Sequence, residues 1–165
     1  MQESLCNLKD LDITSLCRLN NEHAVETSFL TEIELSRLIG MSFYARGFVG
    51  DMGNAVAALL IALDSTAPYV NPNFQFFRER HSRFVYIDRL ITAGHARRRR
   101  LARRLYEDLF EQTKQAGHSV IGCEVNLDPP NPGSDAFHAS LGFAEVGRAT
   151  LANGKTVRYL EMALA

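Results

Sequence analysis

Residues 84–109 carry the most constraining pattern in the chain. Phe84-Val85-Tyr86-Ile87-Asp88-Arg89-Leu90-Ile91 is an apolar, β-favouring run, and the small residues of Thr92-Ala93-Gly94-His95-Ala96 follow it. Leu101, Leu105 and Leu109 then fall at four-residue steps, the spacing of one helix face. A strand that feeds a helix through a short turn belongs to a layered arrangement of sheet and helices. Between them stand Arg97, Arg98, Arg99 and Arg100, with Arg103 and Arg104 close behind. The first turn of the helix is therefore expected to be crowded with arginine. Unpaired N–H groups already give that end a partial positive charge. Cations there are unfavourable unless an anion sits among them, and strand-to-helix turns of this polarity hold phosphate. The turn is expected to bind a pyrophosphate.

The remaining pattern places this unit near the middle of a mixed fold. Leu11–Glu22 reads as a helix capped by Asp12 or Thr14, and Asn20-Asn21-Glu22-His23 as a polar break. Thr31 caps a second helix that Gly40 ends. Residues 42–49 and 55–63 form a hairpin across the turn Gly50-Asp51-Met52-Gly53-Asn54. The second of these strands is almost continuously apolar, hence central and covered on both faces. Residues 64–74 read as a long irregular stretch and 75–81 as a short helix. The arginine-led helix runs to about Ala116, and residues 119–125 form a buried strand holding Cys123 and Glu124. A proline-rich connection follows, then a short helix, Ala136–Leu141, capped by Ser134 or Asp135. Residues 143–149 and 156–164 close the chain as strands joined at Asn153-Gly154. This order predicts a mostly antiparallel sheet with a local parallel strand–helix–strand element at its centre.

Three features resemble the GNAT superfamily of N-acetyltransferases over essentially the whole chain. The family signature Gln/Arg-x-x-Gly-x-Gly/Ala meets Arg97-Arg98-Arg99-Arg100-Leu101-Ala102, with Arg100 in place of the central glycine. The family block aromatic-Tyr-x-x-x-Gly-Phe meets Phe137-His138-Ala139-Ser140-Leu141-Gly142-Phe143, with His138 in place of tyrosine. The order of elements, with two helices before the first hairpin, is the third. Within the superfamily the chain is similar to a bacterial subgroup of acetyltransferases with no obvious named substrate.

The resemblance implies a GNAT-like α/β fold, mixed and mostly antiparallel, with splayed parallel central strands and helices on both faces. It implies acetyl-CoA as co-substrate, with no metal. The pantetheine arm would lie against strand backbone at Leu90, Ile91 and Thr92, opposite Glu124-Val125-Asn126. The pyrophosphate would sit on Arg97, Arg98, Arg99, Arg100, Leu101, Ala102 and Arg103. A family glycine lets backbone approach phosphate closely. Helical dihedrals remain open to Arg100, whose guanidinium would then point aside or meet phosphate itself. Asn126, Asn131, Ser134, Phe137 and His138 would complete the cofactor surface. His138 is the candidate acid for the departing thiol, against a packed histidine beside Phe137. Asp88 and Glu124 are the candidate bases, against structural ion pairs, for instance with Arg89. Candidate acceptor-site residues are Phe29, Tyr44, Tyr69, Asn73, Phe74 and Phe77.

Composition sets the bounds. The 165 residues suit one domain spanning residues 1–165, with 46% hydrophobic and 22% charged residues. The net charge of −1 argues against a nucleic-acid or acidic-membrane field, so the arginine run is local. Arg103 with Glu107 and Arg104 with Asp108 have helical pair spacing, whereas residues 97–100 have no such partners. Cys6, Cys17 and Cys123 lack metal spacing and suit free thiols in a reducing cytoplasm. No leader or membrane-length run is apparent. The leading expectation is an N-acetyltransferase acting on a small-molecule or peptide amine by direct transfer in a ternary complex. Its rivals are a non-catalytic acyl-CoA-binding module and a small nucleic-acid binder. Homodimerisation through strand edges is an open expectation.

Overall fold

The computed structural model describes residues 2–50 and 55–164; Asp51–Asn54 of the expected hairpin turn lie outside the described residues. In chain order the elements are β1 (Ser4–Asn7), α1 (Ile13–Glu22), α2 (Glu32–Met41), β2 (Tyr44–Val49), β3 (Val56–Asp64), α3 (Pro72–Arg80) and β4 (Val85–Thr92). After them come α4 (Leu101–Gln115), β5 (Val120–Asp128), α5 (Pro132–Leu141), β6 (Ala144–Thr150) and β7 (Thr156–Ala163). The strands form one seven-stranded sheet in the order β1-β2-β3-β4-β5-β7-β6. Every neighbouring pair is antiparallel except β4 and β5. Helices cover both faces, as the mixed α/β pattern predicts.

Each element has a local cause. β3 is buried from Val56 to Leu63, which fits its apolar run. α4 turns Leu101, Leu105 and Leu109, all fully buried, onto the sheet. Each such leucine contributes roughly 2 kcal/mol of burial. α2 begins with a capping box: Thr31 N–H donates to Glu34 Oε2 at 2.8 Å, and Glu34 N–H donates to Thr31 Oγ1 at 3.2 Å.

Four boundaries differ from the sequence reading. β1 is an added edge strand, too short and polar to show a period. Asn20 and Asn21 lie inside α1 instead of breaking it. Their side chains bond the α1–α2 connection at Ser28 and Leu30, so backbone groups of the loop stand in for water. α3 starts at Pro72, capped by Asn71, and so absorbs the end of the expected irregular stretch. α5 starts at Pro132, capped by Asn131 rather than Ser134 or Asp135.

The centre of the sheet opens. β4 and β5 pair only at Val85↔Ile121 and Tyr86↔Gly122, and then part. The Phe77 ring lies against Gly122 so closely that a Cβ there would fall 2.4 Å from it. Glycine is therefore required where the strands begin to separate. On the other edge of β4 the register passes from Ile61↔Arg89 to Ala62↔Ile87, skipping Asp88. This is a β-bulge, a device that re-aims side chains beside functional sites.

Candidate active site

The splay and the bulge together place Asp88 and Glu124 on one polar cleft of about 400 Å³. Ile87, Asp88, Arg89 and Leu90 of β4 line it, as do residues 123–126 of β5. Glu124 Oε2 accepts from Tyr86 Oη at 2.7 Å, and Oε1 accepts from Asn73 Nδ2 at 3.0 Å. Asn73 Oδ1 in turn accepts from Tyr159 Oη at 2.8 Å. Burial raises the Glu124 carboxyl to about 8, opposed by the Tyr86 hydrogen bond and reinforced by the charge of Asp88. A carboxylate so placed is poised to take up a proton near neutral pH.

Asp88 is held differently. Its Oδ1 accepts from Tyr69 Oη at 2.7 Å, and its Oδ2 accepts from Arg89 Nε at 2.8 Å. Regular strand neighbours point to opposite faces. The bulge disturbs that alternation and lets the adjacent side chains of Asp88 and Arg89 meet. Arg89 continues to Asn20 Oδ1 at 2.6 Å and Ser28 Oγ at 3.2 Å. Asp88 is thus engaged on both oxygens, in the ion pair that formed its alternative reading.

His138 is buried on α5, with Nδ1 2.7 Å from the Ser134 carbonyl and Nε2 2.7 Å from Tyr106 Oη. A carbonyl only accepts, so this geometry assigns the proton to Nδ1, and the Tyr106 hydroxyl donates to Nε2. Burial holds the imidazole below its usual range. Both ring nitrogens are therefore engaged, and the cleft is also lined by Tyr106. Sequence reading missed Tyr106 and Tyr86, because each looks like a core residue until the cleft brings it to an ionisable partner; Asn73, read as an acceptor-site residue, is here also a partner of Glu124. Asn126, Asn131 and Ser134 line the same cleft.

The arginine turn forms an adjoining groove of about 320 Å³ lined by Thr92, Ala96, Arg97–Arg103 and Phe137. Here the local prediction needs correction. α4 begins at Leu101, so residues 97–100 precede the helix instead of filling its first turn. Arg100 is its N-cap with φ 60° and ψ 23°, and Arg98 has φ 66°. Both are left-handed, a conformation that glycine adopts freely and that costs other L-residues about 1–2 kcal/mol. Arg100 therefore takes a backbone conformation that favours glycine and does not join the helix.

The charge pairs also differ. Asp108 accepts from Arg46 at 2.9 Å and Tyr44 at 2.7 Å rather than from Arg104. Arg103 donates to Ser140 rather than Glu107, and Arg104 stacks over Phe48 with its guanidinium carbon 4.3 Å from the ring centroid. Glu3, remote in sequence, pairs with Arg99 at 2.9 Å. Arg97, Arg98 and Arg100 are exposed and have no partner among the described residues. The groove thus joins free guanidinium groups to the unpaired N–H groups at the start of α4, a fit for phosphate.

Of the acceptor candidates, Asn73 lines the cleft. Tyr69 is bound to Asp88, and Phe29 is exposed beside the lining residue Ser28. Tyr44, Phe74 and Phe77 are packed in the core, and Tyr44 points its hydroxyl to α4. Their aromatic character reflected packing. Among the described residues no three His, Cys, Asp or Glu groups are placed to hold a metal ion, and no helix is long and apolar enough to cross a membrane.

The sheet is thus parted at its one parallel pair, with a basic helix start beside the gap. The model of the acetyltransferase (GNAT) family matches residues 53–143, and the chain belongs to that family. Similar folds occur in Ard1 from Thermoplasma volcanium, at TM-score 0.77 and 13% identity, with 100% of this chain and 99% of that chain covered. The ribosomal-protein-S18-alanine N-acetyltransferase from Escherichia coli aligns at TM-score 0.72 and 16% identity over 98% of this chain and 94% of that chain. YncA from Salmonella typhimurium, solved with its cofactor acetyl-CoA, aligns at TM-score 0.73 and 13% identity over 100% of this chain and 95% of that chain. No curated protein matches the sequence.

Proposed function

We propose that the chain transfers an acetyl group from acetyl-CoA to a primary amine by direct attack in a ternary complex. The observation that carries this reading is the Glu124 carboxyl, held by Tyr86 and Asn73 at the splay with its affinity for a proton raised. Glu124 takes the proton of the incoming amine. Asp88, paired with Arg89, shapes the floor, while burial keeps the Glu124 proton affinity high. Tyr106 and His138 form a hydroxyl–imidazole pair on the helical side of the cleft. His138 positions that hydroxyl, which turns from Nε2 to give its proton to the departing sulfur, the acid role first expected of His138 itself.

Acetyl-CoA supplies the activated acetyl group. The strand edges at Leu90–Thr92 and Glu124–Asn126 would hold its arm. The N–H groups of Leu101, Ala102 and Arg103, with the guanidinium groups of Arg97, Arg98 and Arg100, would hold its phosphates. Asn131, Ser134 and Phe137 border both spaces. A direct test combines acetyl-CoA titration by calorimetry with thiol release across a panel of amines. Binding with amine-dependent thiol release is expected; binding without release from any amine favours a non-catalytic acyl-CoA module instead.

Arg100→Gly separates backbone shape from charge. It removes a left-handed cost of about 1–2 kcal/mol. The extra freedom of glycine in the unfolded chain returns roughly 0.5–1 kcal/mol. The melting temperature should therefore rise by roughly 1–4 °C. Acetyl-CoA affinity should fall about tenfold, the worth of one charge-assisted contact. Unchanged or tighter binding in calorimetry would show that the Arg100 side chain plays no part at the phosphates.

A further inference from the structure

Behind the immediate partners of Glu124 stands a residue of β7. In the β5–β7 register Tyr159 lies opposite Glu124, so both side chains rise from the same face of the sheet. The Tyr159 hydroxyl donates to Asn73 Oδ1 at 2.8 Å, and Asn73 Nδ2 donates to Glu124 Oε1 at 3.0 Å. Of the three, Asn73 and Glu124 line the cleft and Tyr159 does not. Asn73 sits in the first turn of α3, where its backbone N–H donates to Asn71 Oδ1 at 2.8 Å. Its backbone is thus fixed. What stays open is which end of its amide meets the carboxylate.

The Tyr159 ring is locked in place. It stacks on Phe76 with centroids 3.9 Å apart and planes at 10°, and Phe77 meets it edge-on at 5.7 Å. Gly147 is its cross-strand neighbour on β6, and a Cβ there would fall 2.8 Å from the Phe76 ring, so glycine leaves room for the stack. The buried hydroxyl is therefore delivered to one point. A tyrosine hydroxyl can donate or accept. With the Asn73 amide reversed, its nitrogen would reach the Tyr159 oxygen, but the hydroxyl hydrogen would lose its acceptor and Oδ1 would face the carboxylate. Both changes are unfavourable in a buried site, above all beside a charge.

We infer that Tyr159 is a positioning residue of this site: its hydroxyl fixes the Asn73 amide with the NH₂ toward Glu124, and the amide holds the ionised carboxylate. The role in catalysis rests on the acetyl-transfer reading of Glu124 above. Other groups face Glu124 as well. From β4, Tyr86 donates to its second oxygen, and Asp88 adds a negative charge paired with Arg89. Burial above all, with the charge of Glu124 in support, raises Tyr69, Tyr106, Cys123 and Tyr159, so these groups keep their protons. Burial holds His138 below its usual range, and Glu26 and Lys155 line the same cleft. Removing the Tyr159 hydroxyl touches none of these other contacts, so the comparison isolates one bond.

Tyr159→Phe removes the hydroxyl and keeps the stacked ring. Without that donor the ionised state leaves Asn73 Oδ1 unbonded, whereas a protonated Glu124 can itself donate to it once the amide reverses. Glu124 therefore holds its proton more tightly in the variant. The midpoint of the kcat/KM rise, followed by thiol release with an acceptor amine that titrates far from it, should move up by about one pH unit, the scale of one net hydrogen bond. At pH 7 this reads as a kcat/KM about tenfold lower. Asn73→Leu should move the midpoint the same way, and adding Tyr159→Phe to Asn73→Leu should move it no further. An unmoved midpoint in Tyr159→Phe overturns the inference, as does an equal shift in the Asn73→Leu background. The same proton is read without turnover from stability against pH, with Glu124→Gln as the blank. Folded Glu124 keeps its proton above the ordinary carboxyl range, so stability falls with pH until the folded group ionises. The pH at which that fall levels off should also move up by about one unit in Tyr159→Phe. No thiol release with any amine, together with that moved levelling-off, removes the acetyl-transfer reading and leaves the hold of Tyr159 on Glu124 standing. Transfer with an unmoved levelling-off removes the positioning alone.

Discussion

Glu124→Gln should lower turnover by about 10²–10³-fold, the contribution of a positioned general base, while acetyl-CoA binding measured by calorimetry stays within a few-fold. The substitution preserves the local network. The Gln oxygen accepts from Tyr86, and its NH₂ meets Asn73, whose amide can reverse so that its nitrogen donates to the Tyr159 oxygen. The loss is therefore one of chemistry rather than of folding. In the wild type, kcat/KM should rise with pH through an apparent value near 8, and that rise should vanish in Glu124→Gln. The profile is to be taken with an acceptor whose own amine titrates far from 8. Stability should report the same group. Its folded value, about 8, lies above the ordinary 4.5, so the folded state holds more protons between them. The contribution is present below about 4.5 and lost as pH rises through 8. Glu124→Gln should therefore become more stable than wild type as pH climbs, by on the order of 5 kcal/mol at most above pH 8. A stability difference that stays flat from pH 5 to 9 would contradict the raised proton affinity.

The parts of this picture legible in the sequence share one property: they repeat. The β3 run, the Leu101–Leu105–Leu109 spacing and the strand-to-helix order all follow from periodic burial, and each appears where that period puts it. The parts that were not legible depend on single departures from a period. The bulge at Asp88 breaks the two-residue alternation of β4, so a strand-face reading could not predict that Asp88 and Arg89 meet side to side. The left-handed dihedrals at Arg98 and Arg100 contradict residue preference outright. Only the spacing shared with a glycine-containing signature hinted at them. His138 and Glu124 were both found by type and position, yet their environments differ in kind. One is held between a carbonyl of its own helix and a hydroxyl, the other between a hydroxyl and an amide, and that distinction arises from tertiary contacts with Tyr106, Tyr86 and Asn73. Partners more than thirty residues away leave no local mark.

Arg89→Met should cost about 3–5 kcal/mol of stability, the penalty for removing one member of a buried ion pair. Arg89 is 6% exposed, and its guanidinium bonds Asp88, Asn20 and Ser28 at once. Methionine fills a similar volume, so little of the cost comes from a cavity. What remains is a desolvated Asp88 carboxylate with Tyr69 as its only donor, and an Asn20 oxygen without one. At the scale of this chain the melting temperature should drop by roughly 10 °C. The double variant Asp88→Asn, Arg89→Met removes both charges and should recover much of the loss. If the double variant is as unstable as Arg89→Met, the damage lies in the contacts to α1 and its following loop and not in the orphaned charge. Those contacts have a functional reading of their own. Arg89 fastens Ser28 and Asn20 to the floor strand, and the same loop carries the Glu26–Ser28 wall of the cleft. In the double variant, assayed below its melting range, KM for the acceptor should therefore rise while acetyl-CoA affinity holds, because the arginine turn lies beyond the other end of β4 and touches neither group.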